Sequence, residues 1–148
     1  MRARDLATPF PTVGFDTPAL EAARLLAARD LPGLIVVDET GRPTTILAGT
    51  QVLRLVVPPY VQDDPALARV IDEAAADEFL RRVGDRTVAQ LLPDEHRELP
   101  VVGPDATVLE VAAMMARSRT PLAAVTSRDQ PMIGAITLDA LLDRMLGT

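Results

Sequence analysis

Few side chains in this chain could do chemistry, and most of them sit in poor company for it. The single histidine, His96, lies within Asp94-Glu95-His96-Arg97-Glu98, which has the residue types of a metal site. A firm metal site needs several converging ligands and a supporting shell, whereas an unbroken charged run reads more simply as a solvated turn between domains. The same histidine could serve as a general base, but the only serines, Ser118 and Ser127, stand in no nucleophile-elbow or triad-like setting. There is no cysteine, which removes thiolate chemistry, disulfides and Cys-based metal sites. All 15 basic residues are arginine, so no lysine is on hand for catalysis. Asp63-Asp64 suits a helix start, where acids complement the dipole, better than a Mg²⁺ site. Arg119 and Arg128 flank a strand and turn and could reach an anion, although scattered surface arginines are ordinary. Thr137 precedes an apolar helix, where its hydroxyl could contact a phosphate or simply cap the helix. This inventory favours binding over catalysis.

The elements that must position these residues occur twice. At a fixed offset of 89 positions, residues 11–57 align without a gap on 100–146. Pro11, Val13, Gly14, Asp16, Leu20, Glu21, Ala23, Ala27, Pro32, Val36 and Leu53 each meet the same residue type there, which makes 11 identities in 47 positions. The apolar pattern and the turn residues coincide as well. Such a doubling predicts two half-structures about a pseudo-twofold axis, with ligand sites along their seam.

In the first unit the pattern predicts a short helix from Arg2 to Ala7, then an extended segment from Pro11 to Gly14. Thr17-Pro18 starts a helix with Leu20, Ala23, Leu25, Leu26 and Ala27 on its apolar side, which Pro32-Gly33 breaks. Leu34 to Val37 is a short β-branched run between turn signals, hence a buried strand. A turn over Asp38 to Pro43, a strand over Thr45 to Ala48 and a helix from Thr50 to Val57 complete the unit, closed by Pro58-Pro59. Thr87 to Leu92 resembles the opening helix, and residues 105–146 repeat the order. There Thr107 and Glu110 have capping-box spacing. Leu138, Leu141, Leu142, Met145 and Leu146 recur with helical period, while Met114, Met115 and Met145 suit core or interface packing. Between the units, Asp63-Asp64-Pro65 opens a helix carrying Leu67, Val70, Ile71, Ala74, Phe79, Leu80 and Val83, whose apolar face calls for burial. The division expected is 1–58 for the first unit, 59–85 for a helical connector and 86–148 for the second. Alternating helices and strands make each half a small α/β (α+β) layer structure.

A chain of 148 residues, 48% hydrophobic, can bury a real core as one domain or two joined halves. Its net charge of −6 opposes attraction to phosphate backbones, so no nucleic-acid partner is expected. Apolar runs are too short to span a bilayer and the opening residues lead into no signal-peptide core, so neither membrane insertion nor export is expected and the cytoplasm is the default.

The order of elements, the Leu-Pro-x-x-x-Val-Val-Asp strand (Leu31 to Asp38) and the strand-to-helix join from Gly134 to Leu142 resemble a tandem pair of CBS domains, a Bateman module. The resemblance covers the chain apart from residues 59–85. It implies two β-α-β-β-α repeats packed through their sheets about a pseudo-twofold axis, and usually a homodimer of such modules. It also implies a non-catalytic regulatory sensor that binds an adenosine-containing ligand in an inter-repeat cleft and signals to a separate partner such as an enzyme or transporter. No cofactor is required; AMP, ADP, ATP and S-adenosylmethionine are the candidate regulatory ligands. The family signature runs glycine, two apolar residues, Ser/Thr, two variable residues, Asp. Gly134 and Thr137 match it, but Ala140 stands at the Asp position, with Asp139 turned about 100° away around the helix. In the first unit the same places hold Thr45, Ala48 and Gln51, with Thr50 nearby. The resemblance therefore places Thr137, Gly134, Asp139, Pro121, Leu122, Ala123 and Val102 around the better cleft, with Thr50, Pro32 and Leu34 from the first unit. The departures at Ala48, Gln51 and Ala140 leave an alternative: a degenerate pair serving only dimerisation or protein contact.

Overall fold

A computed structural model of the chain describes residues 1–70, 72–74, 77–78, 81, 84–93, 98–127 and 130–147. Two lobes each carry a three-stranded sheet. In the first, β1 (Thr12–Gly14) lies parallel to β2 (Gly33–Val37), which pairs antiparallel with β3 (Pro43–Ala48). The second lobe repeats this with β4 (Val101–Val102), β5 (Leu122–Thr126) and β6 (Met132–Thr137). Helix α2 (Ala19–Arg29) joins β1 to β2, and α6 (Val108–Ser118) joins β4 to β5. Helices α3 (Gly49–Val56) and α7 (Leu138–Leu146) follow directly on β3 and β6.

Strand periodicity explains why both faces of each sheet are buried. Successive side chains alternate between faces. Leu34 and Val36 accordingly point into the first lobe's own core with Ala19 and Ala22 of α2, while Ile35 between them joins the seam. In the second lobe Ala123 and Val125 pack with Val111 and Met115 of α6, while Leu122 and Ala124 face the seam. Ile35, Ile46, Leu99, Leu122, Ala124 and Ala135 thus form a third core between the lobes.

The opening helix α1 (Ala3–Leu6) packs on the second lobe. The Ala3 and Arg4 amides donate to the carbonyls of Ala106 and Pro104 at 2.8 and 3.0 Å, Arg4 pairs with Asp105, and Thr8 exchanges two backbone bonds with Ala135. Its counterpart α5 (Val88–Leu91) packs on the first lobe, with the amides of Val88 and Ala89 donating to Thr17 and Phe15 at 2.9 and 3.0 Å. Ala3 is buried in the second core, and Val88, Leu91 and Leu92 in the first. Each lobe is therefore completed by a segment remote from it in the chain.

Local chemistry accounts for the ends of the elements. Thr107 Oγ1 accepts from the Glu110 amide at 3.1 Å, the hydroxyl half of the expected capping box. Thr17 does not cap α2; its hydroxyl accepts from the Gly14 amide at 2.9 Å, and Pro18 takes the cap position. Both long helices end on a non-glycine residue in the left-handed region, Asp30 at φ 49° and Arg119 at φ 55°. The following amides, Leu31 and Thr120, reach back to the carbonyls of Leu26 and Met115 and satisfy the helix ends.

The connector departs from expectation. Pro58-Pro59 ends α3, yet Pro59 also opens α4 (Pro59–Asp63), since proline is tolerated in a first turn. Asp63 closes that helix rather than starting one, and Asp64 accepts from the Ala66 amide at 3.3 Å. Residues 65–70 form a 3₁₀ helix with no buried residue, and Val70 is 83% exposed. Leu67 and Val70, three residues apart, share a face of this helix, but that face is turned to solvent. The expected burial fails at Leu67 and Val70, and Ala74, beyond the 3₁₀ helix, is exposed as well; Ile71, Phe79, Leu80 and Val83 lie outside the described residues.

Gly134 is demanded by close approach: a Cβ there would stand 2.6 Å from the Thr8 carbonyl oxygen. Replacing Gly134 with alanine should cost about 2 kcal/mol or more by forcing the opening segment off the sheet. Gly103→Ala, where a Cβ meets nothing within 4 Å, should change little. Urea unfolding of the two variants compares them directly.

Candidate functional site

Where β6 passes into α7, the cleft between the lobes widens into a cavity of about 410 Å³. Thr137 ends β6 in an extended conformation and caps α7, its hydroxyl accepting from the Ala140 amide at 3.2 Å. Leu138 follows, its amide donating to the Pro121 carbonyl at 2.9 Å. Asp139 lies in the first turn of the helix. These second-lobe residues, with Pro121, line one side of the cavity. Phe10, Asp30, Leu31 and Pro32 of the first lobe line the other.

The walls are apolar and the ionisable groups are few. Phe10 is half-buried at the edge of the inter-lobe core. Among the described residues lining the cavity, Asp30 and Asp139 are the ionisable ones, one from each lobe. The left-handed turn that ends α2 places Asp30 there. Asp139 lines the cavity although it is turned away from the family's Asp position, because Thr137, Leu138 and Asp139 at the helix start all border the cleft.

Thr137, Asp139, Pro121 and Pro32 are thus brought together, but the remaining expected residues go elsewhere. Leu122 is buried in the inter-lobe core, Ala123 and Val102 in the second lobe's core, and Leu34 in the first. Strand alternation sends them inward. Gly134 is buried under the backbone of Thr8, and Thr50 sits exposed in the first turn of α3, away from this cavity. The residues not foreseen are Phe10, Asp30, Leu31 and Leu138. Phe10 and Asp30 flank the repeated Pro11 and Pro32, a positional hint that residue type alone does not carry.

The pseudo-symmetric positions of the first repeat have different chemistry. Ala48 replaces Thr137, and Gln51, at the family's Asp position, folds back so that its Oε1 accepts from the Ala48 amide at 2.6 Å. Asp30 corresponds to Arg119, and Phe10 to Leu99, which is buried in the seam. Other reactive residues have structural roles. Ser118 donates to the Met114 carbonyl at 2.7 Å and shares a hydrogen bond with Thr120. In the β2–β3 turn, hydrogen bonds from the Thr40 hydroxyl and the Arg42 amide hold the Asp38 carboxyl below its ordinary value. His96 and Arg128 lie outside the described residues, among which no group of three or more His, Asp or Glu could hold a metal ion. Nor is any described helix long and apolar enough to cross a membrane.

The family model for the CBS domain matches residues 3–56 and 88–147. The chain is 54% identical to a CBS domain-containing protein from Kribbella flavida DSM 17836, covering 99% of each chain with a TM-score of 0.89. It is similar in fold to CBSX2 from Arabidopsis thaliana, at 17% identity, 99% and 94% coverage and a TM-score of 0.73. A structure of CBSX2 in complex with AMP matches at 19% identity, 99% and 96% coverage and a TM-score of 0.67. No curated protein matches the chain.

Because the Thr137 hydroxyl caps α7, Thr137→Ala should lower stability by about 1 kcal/mol, with Thr137→Ser restoring most of it. Chemical denaturation of both variants measures the difference.

Proposed function

Because the chain belongs to the CBS-domain family, with its regulatory repeat present twice, we propose that it is a non-catalytic sensor whose inter-lobe cleft takes an adenosine-containing ligand. The observation that carries this reading is the cavity walled by both lobes at the start of α7. Its size falls in the range of small-molecule pockets, about 300–1,000 Å³. The likeness in fold to CBSX2, solved with AMP, supports the same class of ligand. Along the chain the units are 1–58, 59–85 and 86–148, and the exchanged helices α1 and α5 tie them together. A ligand touching both lobes shifts their relative packing only through unequal affinity for two arrangements, and that difference is what a separate partner protein would sense.

We further infer a homodimer through the outer helices. Of the apolar residues on α7 only Leu141 is buried, while Leu138, Leu142, Met145 and Leu146 are exposed. Leu53 on α3 is 59% exposed and Leu109 on α6 is 72% exposed. Leu20 and Leu109, and Leu53 and Leu142, are repeat-related pairs that all remain exposed, so both lobes present leucine at matching places. Exposed leucines at matching places on both lobes are what an interaction surface on these helices would present. A second reading, a pair that binds no small molecule, is favoured by Ala48, Gln51 and Ala140 at the signature positions.

Thermal shift with AMP, ADP, ATP and S-adenosylmethionine separates the two readings. A ligand selective for the folded state at about 100 times its Kd adds about 2.7 kcal/mol of stability, a readily measured rise in Tm. Silence with every compound supports the ligand-free pair. Light scattering should find a dimer, and Leu53→Asp with Leu142→Asp should convert it to a folded monomer; an unchanged mass would place the interface elsewhere.

A further inference from the structure

The cavity at the start of α7 is poorly equipped for phosphate. A helix start binds anions through its free opening amides, but here the Leu138 amide is spent on the Pro121 carbonyl and the Ala140 amide on the Thr137 hydroxyl. Of the first three amides of the helix, only that of Asp139 is left for an anion. Asp139 also lines the cavity and brings a carboxylate to this helix start, and Asp30 brings a second from the opposite lobe. Among the described lining residues no cationic side chain balances them. A phosphate placed here would meet two like charges and at most one opening amide.

We propose that this cleft selects an uncharged or cationic adenosyl ligand, one carrying an ammonium or sulfonium group, over a nucleoside phosphate. The proposal rests on the adenosine reading above and names the charge of the ligand. Phe10, Pro32 and Pro121 offer flat apolar walls against which a purine packs. The two carboxylates accept hydrogen bonds from ribose hydroxyls or an ammonium group, a role that the methyl group of Ala140 cannot fill. Because Asp30 belongs to one lobe and Asp139 to the other, a cation between them is attracted to both lobes and favours their approach. An anion there does the opposite, so the sign of the ligand's charge decides the direction of the conformational response. Both carboxylates are exposed, so solvent screens the effect and salt weakens it.

Calorimetric titration of the full chain at low salt with adenosine, S-adenosylmethionine, AMP and ATP tests this. S-adenosylmethionine should bind roughly tenfold or more tightly than ATP, and adenosine at least as tightly as AMP, with the gap narrowing as salt rises. Asp30→Asn and Asp139→Asn should each reduce the preference for S-adenosylmethionine over ATP several-fold. Asparagine tolerates the left-handed conformation at position 30, and a circular dichroism melt verifies that both variants fold. AMP or ATP binding more tightly than adenosine would overturn the proposal while leaving the adenosine reading intact. A preference unchanged in both variants would also overturn it, by removing the two carboxylates as its cause. If none of the four compounds binds, the adenosine reading itself fails and this inference falls with it.

Discussion

Burial of both faces of each sheet is the constraint on which the rest of the structure depends. A three-stranded sheet covered by helices on one side still exposes a second face. Here that face carries Ile35 and Ile46 in one lobe and Leu122, Ala124 and Ala135 in the other. Neither lobe can hide it alone, so the two sheets close on each other. The seam is apolar and almost free of hydrogen-bonding demands, which lets it set the approach of the lobes by side-chain packing. The cleft follows from the same closure. Strands end where the sheets stop meeting, and helix α7 and the turn after α2 face each other across the gap that remains.

Most of the skeleton was legible because the doubling is kept in the folded molecule almost residue for residue. Helix α2 spans Ala19–Arg29 and α6 spans Val108–Ser118, an offset of 89 at both ends. Gly33 pairs with Ala48 as Leu122 pairs with Thr137, and the register shifts after Val36 as it does after Val125. What escaped has physical causes. Residues beside the signature across the sheet, such as Leu122, which pairs with Thr137, and Ala123, which pairs with Ile136, alternate into two cores, so adjacency in a sheet misjudges closeness to a cavity. Phe10 and Asp30 reach the cleft only because the first lobe is folded over against the second, a relation that no local pattern encodes. In the connector the apolar spacing of Leu67 and Val70 carries no sign that their shared face is left to solvent.

Near-identical backbones carry unlike chemistry at equivalent points. Thr137 and Ala48 occupy the same cap, Ala140 and Gln51 the same first turn, and Asp30 and Arg119 the same left-handed turn with opposite charge. The cap itself is indifferent to these choices: a hydroxyl closes one helix start and a glutamine amide oxygen the other. Structural duties are therefore met twice by different residues, and the equivalent positions of the two repeats are free to differ in chemistry. The symmetry belongs to the scaffold and not to what the scaffold presents.

The crossing of α1 onto the second lobe and of α5 onto the first bears on ancestry. A lone repeat would own a leading helix but would have to borrow the matching groove from another copy, which in turn would borrow from it. Two such molecules trading arms form a reciprocal dimer. Fusing their genes head to tail, with the segment between the repeats as the bridge, yields a chain in which that trade has become internal. Severing the bridge would then leave two pieces still clasped to one another rather than two free bodies.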